Sequence, residues 1–313
     1  MKAHLYPDWR DIPAAARGTV AALGNFDGVH LGHAHLLRTL QAARPEGELA
    51  VVTFEPHPRE LFRPQDPPFR LTLPDERFSA LVALGVRRVF QIPFTPEFSA
   101  MSAEEFVTGV LHAGLGVRHV ACGADFAFGH RRRGDVAFLA QEAHDLGIGL
   151  TVVPALCDAA GPYSSTRIRR LLQEGYPERA AEELGRAWSI RGPVEHGDKR
   201  GRLLGFPTAN IALGRHLEPA RGVYAVSVRM GDGRVCPGVA NIGRRPTIND
   251  GQVSRLEVHL LDFDGDLYGQ TLSVALHTLL REERRFDGLD ALRAQIARDT
   301  QAARDYLLAT GGA

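Results

Sequence analysis

Near the amino terminus the chain reads Gly24-Asn25-Phe26-Asp27-Gly28-Val29-His30-Leu31-Gly32-His33, with two imidazoles flanking a glycine where an apolar run meets a helical pattern. A helix start presents unpaired backbone N–H groups and partial positive charge, which suits a triphosphate, and Gly32 lets the backbone approach it closely. Imidazoles at His30 and His33 can then donate to an α-phosphate as negative charge grows during in-line displacement. Alone, the tetrapeptide fits a pair of partly exposed loop histidines equally well. A second segment, Ser164-Ser165-Thr166-Arg167-Ile168-Arg169, puts hydroxyls at a helix cap and arginines in its first turns, a phosphate-binding combination that by itself is also a plain capping motif. Between them lie Thr53-Phe54-Glu55-Pro56-His57-Pro58 and Gly123-Ala124-Asp125-Phe126-Ala127-Phe128-Gly129. His57, between two prolines, reads as a rigid turn residue, and Arg131 to Arg133 read as a solvated loop. Phe126 and Phe128 are spaced to stack on a flat heterocycle or to fill a core.

The carboxyl-terminal half carries a different constellation, Gly197-Asp198-Lys199-Arg200-Gly201-Arg202-Leu203-Leu204-Gly205-Phe206-Pro207-Thr208-Ala209-Asn210. A Gly/Arg-rich turn offers N–H groups and cations to phosphates, and the Thr208 hydroxyl and Asn210 carbonyl are hard oxygens of the kind Mg²⁺ prefers. The spacing is not that of a Walker A loop. Further on, Arg255-Leu256-Glu257-Val258-His259 alternates as a strand does, placing Glu257 and His259 on one face. A carboxylate there can take the proton of an attacking primary hydroxyl. On alternation alone, a solvent-facing Glu/His pair is the simpler reading.

These residues need elements to hold them. From Thr19 to Pro154, short β-rich runs (TVAALG, LAVVTF, RVFQI, HVACG, LTVVP) alternate with helical patterns, which predicts βαβ units and a parallel sheet with ligands at the carboxyl ends of its strands. After a helical stretch from Arg167 to Leu184, short strands separated by Gly, Pro, Asn and Asp turns predict an antiparallel barrel, and GLDALRAQIARDTQAARDYLL predicts a terminal helix. The expected domains are residues 1–185 and 186–313, with each chemical site complete inside its own segment. The chain has 37 basic and 37 acidic residues among 313, so no net field recommends nucleic acid or an anionic membrane. Cys122, Cys157 and Cys236 lack metal-ligand spacing and fit a reducing compartment. With no apolar run long enough to span a bilayer and no leader-like start, the expectation is a cytoplasmic protein.

The set GNFDGVHLGH, TFEPHP, GADFAFG and SSTRIR resembles the adenylyltransferase module of prokaryotic bifunctional riboflavin kinase/FAD synthetases. PTAN, Gly222-Val223-Tyr224, Asn241-Ile242-Gly243-Arg244-Arg245-Pro246-Thr247 and EVHLLDFDGDLYG resemble the kinase module of the same family, in the same order. The resemblance implies an α/β architecture: a Rossmann-like nucleotidyltransferase domain with a parallel sheet, then a six-stranded antiparallel riboflavin kinase barrel with a terminal helix. It implies phosphorylation of riboflavin by ATP to FMN, then adenylylation of FMN to FAD, with Mg²⁺ as cofactor and riboflavin, FMN and ATP as the small-molecule partners. For adenylylation it implies ATP contacts from Gly24, Asn25, Phe26, His30, Gly32, His33, Ser165, Thr166 and Arg169, and flavin contacts from Asp27, Asp125 and Phe126. For the kinase it implies phosphate contacts from Gly201 and Arg202, Thr208 and Asn210 as Mg²⁺·ATP ligands, Glu257 as general base and Tyr224 beside the flavin. Ala34 departs from the polar residue that relatives often carry there, and its small side chain still suits a helix start. Another HxGH adenylyltransferase with an accessory barrel leaves PTAN and EVHLLDFDG without a purpose. A flavin-binding protein with decayed sites would not keep His30, His33, Thr208, Asn210 and Glu257.

Overall fold

The computed structural model describes residues 2–196, 205–245 and 253–311. The chain forms two compact units, Met1–Pro67 with Thr72–Ser164, and Pro68–Leu71 with Ser165–Ala313.

The first unit is built on a parallel sheet of β1 (His4–Tyr6), β2 (Val20–Leu23), β3 (Leu49–Glu55), β4 (Arg88–Pro93), β5 (His119–Gly123) and β6 (Gly149–Val153), in the order β1-β4-β3-β2-β5-β6. Its helices are α1 (Leu31–Ala43), α2 (Pro58–Phe62), α3 (Pro74–Ala83), α4 (Pro96–Ser99), α5 (Ala103–Glu105) and α6 (Val136–Asp145). α5 runs directly into a π-helical segment, Phe106–Gly114. Near-continuous apolar runs such as Val20–Leu23 are the mark of strands buried on both faces. Period-two alternation divides them between two cores: Ala21, Leu23, Ala50 and Val52 pack on one side, and Val20, Ala22, Leu49 and Val51 on the other. Strand order reverses between β2 and β5, so the loops after these strands flank the crevice where such sheets take ligands. β1 is an addition to the sequence reading, because three largely exposed residues carry no readable period. A two-stranded ribbon, β7 (Cys157–Asp158) with β8 (Gly161–Pro162), closes this unit.

In the second unit, α7 (Ser165–Gln173) and α8 (Pro177–Leu184) precede six antiparallel strands: β9 (Trp188–Glu195), β10 (Ala209–Ala212), β11 (Gly222–Arg229), β12 (Val235–Arg245), β13 (Val253–Leu260) and β14 (Thr271–Arg281). These close into a barrel in the order β10-β13-β12-β11-β14-β9, which removes every free sheet edge. The interior is filled by Ile190, Ile211, Val226, Leu256, Val258 and Leu276 among others. The terminal helix, α9 (Leu289–Thr310), lays Ala303 and Leu307 on the outer-face residues Val223, Ala225 and Val239, and Asp299 accepts from the Arg281 guanidinium at 2.8 Å.

The compact units divide ahead of the boundary expected at residues 185/186. The apolar stripe of α7, Ile168, Leu171 and Leu172, is buried in the same cluster as the barrel interior, as are Ala180 and Leu184 of α8. Leu71 joins that cluster too, and its carbonyl accepts from Trp188 Nε1 at 2.8 Å.

Candidate active sites

In the first unit, the turn from β2 to α1 leaves the regular regions of backbone space. Phe26 (φ 52°), Gly28 (φ 85°) and Val29 (φ 45°) all have left-handed backbones, which is costly for a β-branched valine and is tolerated where the surroundings enforce it. The enforcement is visible. The Asp27 carboxylate accepts from the Thr72 backbone at 3.0 Å, and the Thr72 hydroxyl in turn accepts from Gly28 N at 2.9 Å. Arg77, almost wholly buried, donates to the Asn25 and Phe54 carbonyls at 3.3 Å each, and to Glu55 at 3.1 Å and Gln91 at 3.2 Å, so one guanidinium ties the ends of β2 and β3 together.

His30 caps α1, and the two imidazoles cap reciprocally: His30 N donates to His33 Nδ1 at 3.2 Å, and His33 N to His30 Nδ1 at 3.4 Å. The rings stack with centroids 3.7 Å apart. With each Nδ1 accepting, each ring proton sits on Nε2, so both rings are donors along their outer edge. That is the polarity a phosphate oxygen requires. Gly32 keeps this corner tight: a Cβ there would lie 3.0 Å from the His30 ring and 3.3 Å from the Tyr163 carbonyl, so the ring would have to give way. Phe26, which is fully buried, packs its ring 4.9 Å from that of His33. It therefore supports the histidine from the core, and only its backbone can face a nucleotide.

Of the residues expected at the flavin, Asp125 is exposed in the loop after β5, and Phe126 is half-buried and stacked on Phe128 at 5.4 Å. Asp27 is corrected by the structure. It is 2% exposed and braces Thr72, so its carboxylate shapes the loop from within. Tyr224 is corrected as well: its ring fills the barrel core at 1% exposure, its hydroxyl donates to the Ala220 carbonyl, and burial pushes its pKa well above the ordinary phenol value. His57 caps α2 and accepts from Arg59 N at 3.1 Å, and Arg131 to Arg133 are exposed. Neither Arg77 nor Thr72 stands out in the sequence. Arg77 sits at an ordinary polar position in a helical pattern, and nothing local signals its burial.

Ser165 and Thr166 open α7 in the second unit, with Thr166 exposed and Ser165 half-buried. Arg169 donates from Nε to the Phe69 carbonyl at 2.8 Å and lies over the Phe69 ring at 5.3 Å.

The barrel assembles the other constellation by register. Asn210 on β10 pairs with Glu257 on β13, and Glu257 pairs in turn with Asn241 on β12, so the carboxylate stands between two amides in one row across the outer face. Glu257 and His259 alternate with buried Leu256, Val258 and Leu260, as the sequence predicts. His259 Nδ1 meets the Pro207 carbonyl at 2.9 Å and so holds the approach to Thr208. Thr208 and Asn210 line a cavity of ≈ 230 Å³ with Phe263, Asp264, Asp266 and Tyr268. Asn210 is 4% exposed, and its Oδ1 has no hydrogen-bond partner among the described residues. A buried, unsatisfied hard oxygen beside a threonine hydroxyl fits a divalent cation brought in with a nucleotide. No cluster of three or more His, Cys, Asp or Glu residues suited to a metal occurs among the described residues. Gly201 and Arg202 lie outside those residues, as do Pro246 and Thr247.

Comparison with known proteins matches both halves. The family model for FAD synthetase matches residues 12–167, and that for riboflavin kinase matches residues 184–307. The bifunctional riboflavin kinase/FMN adenylyltransferase of Escherichia coli K12 is 42% identical over 295 residues, 94% of either chain. That of Pseudomonas fluorescens is 45% identical over 290 residues, covering 92% of this chain and 93% of its own. A crystal structure from Streptococcus pneumoniae, described as a macrolide-efflux protein, superposes with a TM-score of 0.86 at 31% identity, covering 97% of this chain and 99% of that one. With a parallel-sheet unit carrying the histidine pair, a closed barrel carrying the Asn210–Glu257–Asn241 row, and both family models matched in sequence order, the chain belongs to the bifunctional riboflavin kinase/FMN adenylyltransferase family.

Proposed function

We propose that the barrel phosphorylates riboflavin at the expense of ATP, giving FMN and ADP, and that the parallel-sheet unit transfers AMP from a second ATP to FMN, giving FAD and pyrophosphate. The observation that carries the kinase assignment is the row in which Glu257 stands between Asn210 and Asn241 beside the cavity of Thr208. Glu257 takes the proton of the riboflavin primary hydroxyl as that oxygen attacks the γ-phosphorus. Thr208 Oγ1 and Asn210 Oδ1 are the oxygens that would hold Mg²⁺ with the triphosphate. Bound there, the cation neutralises charge building between the β- and γ-phosphates. In the sheet unit an oxygen of the FMN phosphate attacks the α-phosphorus and pyrophosphate leaves, so no covalent enzyme intermediate is needed. His30 and His33 donate from Nε2 to the oxygens on which charge accumulates. Gly24, Asn25 and Gly32 supply backbone at that site, and Asp125 and Phe126 the side for the flavin. Ser165, Thr166 and Arg169 are triphosphate ligands on the strength of the motif they share with the family.

Three free thiols, equal numbers of acidic and basic residues, and the absence among the described residues of a helix long and apolar enough to cross a membrane support a cytoplasmic enzyme of small molecules, without nucleic-acid or membrane partners. Incubation of the pure protein with riboflavin and Mg²⁺·ATP, followed by chromatographic separation of flavins, tests both reactions at once. Sequential appearance of FMN and FAD is expected. Neither product, or FMN alone, removes the corresponding assignment.

A further inference from the structure

The row that carries Asn210 holds a second carboxylate. Glu195 on β9 is the register partner of Asn210 on the side opposite Glu257, so the amide lies between two acids. Directly opposed residues share a face with side chains about 5 Å apart at Cβ. Two residues before Glu257 on the same face is Arg255, the register partner of Ala212. β10 lies between β9 and β13, yet Arg255 reaches past it to pair with Glu195 at 3.3 Å. An exposed pair of this kind does little for folding. Its position relative to Thr208 and Asn210 gives it another consequence.

The geometry points to the Arg255–Glu195 pair as the charge-compensating device of the Mg²⁺·ATP site, with Arg255 neutralising the carboxylate beside Asn210 so that an anionic nucleotide is accepted there. This rests on the reading of Thr208 and Asn210 as the nucleotide ligands. Mg²⁺·ATP carries net negative charge, and an uncompensated Glu195 one strand away would repel it. The two members of the pair therefore act with opposite sign. Arg255→Met takes from Glu195 its cationic partner among the described residues and weakens nucleotide binding, whereas Glu195→Gln takes from Arg255 its carboxylate and strengthens it. The double variant, which removes both charges, restores the parent. A unit charge on the strand next to Asn210, in partly screened surroundings, corresponds to a change of about three- to tenfold in affinity. Because the side chains are 27% and 41% exposed, the effect shrinks as salt is added.

The test uses the full chain and three variants, Arg255→Met, Glu195→Gln and the double. The readouts are the Mg²⁺·ATP KM and kcat of riboflavin phosphorylation, and calorimetric titration with Mg²⁺ and the β,γ-imido analogue of ATP. The expected result is a KM and a dissociation constant raised about three- to tenfold by Arg255→Met, lowered by Glu195→Gln and returned to the parent value in the double variant. kcat should hold, and the differences should fade above roughly 0.5 M salt. FMN adenylylation in the same preparations reports folding. Both single variants moving KM in the same direction, or a double variant no better than Arg255→Met, overturns the inference. Thr208→Val separates this from failure of the site itself. If Thr208→Val abolishes nucleotide binding to the barrel while the charge variants leave KM unmoved, the pair alone is refuted. If Thr208→Val is also silent, the ligand assignment falls and the inference with it.

Discussion

At the scale of single residues, the histidine pair does two jobs with one set of atoms. Each Nδ1 closes a capping bond to the other residue's backbone, which fixes the ring and places the proton on Nε2, the atom proposed to meet phosphate. His33→Ala should therefore lower FMN adenylylation by roughly 10²- to 10³-fold, with kcat and kcat/KM falling together, since a contact realised in the transition state is lost. Riboflavin phosphorylation in the same sample is expected to persist, and steady-state assays of both reactions check this. A raised KM with kcat intact would make His33 a ground-state ligand. For the barrel, Glu257→Gln keeps the shape of the side chain and removes the proton acceptor. Riboflavin phosphorylation should drop by about 10²- to 10⁴-fold while adenylylation of added FMN continues. Unchanged phosphorylation would return Glu257 to the simple surface pair with His259. Both positions are proposed from residue type and spacing, which the sequence displays directly. The corrected ones differ: Asp27 and Tyr224 look like polar site residues in a motif, and only tertiary burial turns them inward.

At the scale of elements, the βαβ rhythm and the turn-rich strands were legible because hydrophobic period survives in the linear text. Cross-strand register does not survive there, so the placing of Glu257 between Asn210 and Asn241 became visible only in three dimensions. The same holds for Arg77. In the helical pattern ERFSALVAL it reads as a solvated position, yet its hydrogen bonds to Asn25, Phe54, Glu55 and Gln91 join the ends of β2, β3 and β4 beside the turn that leads to His30. Replacing a buried, paired arginine strands its partners, at a typical cost of about 3 to 5 kcal/mol. Arg77→Met is thus expected to lower the melting transition of the sheet unit and to impair adenylylation well before phosphorylation. Differential scanning calorimetry alongside the two assays measures this. A parent-like transition would mean that neighbouring groups or water fully replace the guanidinium.

At the scale of the whole molecule, the two kinds of fold and their order are readable in the sequence, and the compact units part at Ser164/Ser165 while the riboflavin kinase match begins at residue 184. An apolar stripe such as Ile168, Leu171 and Leu172 announces that a helix must be buried but not against which core. Because α7 and α8 share the barrel's hydrophobic cluster, a fragment of residues 165–313 should melt higher than one of residues 186–313. Each large side chain taken out of water is worth about 1.5 to 3 kcal/mol, a sizeable share of a domain's total of about 5 to 15 kcal/mol. Thermal unfolding followed by circular dichroism makes the comparison. Equal melting temperatures would show that the two helices are passengers.

Pro68–Leu71 belongs to the second unit although the chain on either side of it belongs to the first. This has a consequence in time. A ribosome adding roughly 5 to 20 residues per second releases this tetrapeptide several seconds before α7 exists to receive it. The Leu71 carbonyl and side chain cannot reach their final partners, Trp188 and the barrel interior, until those residues have been made. A gene divided at the end of the FAD synthetase match would strand those four residues on the wrong polypeptide. The two activities are successive along the sequence, but their supporting structures are interleaved, so the kinase scaffold includes a piece translated early.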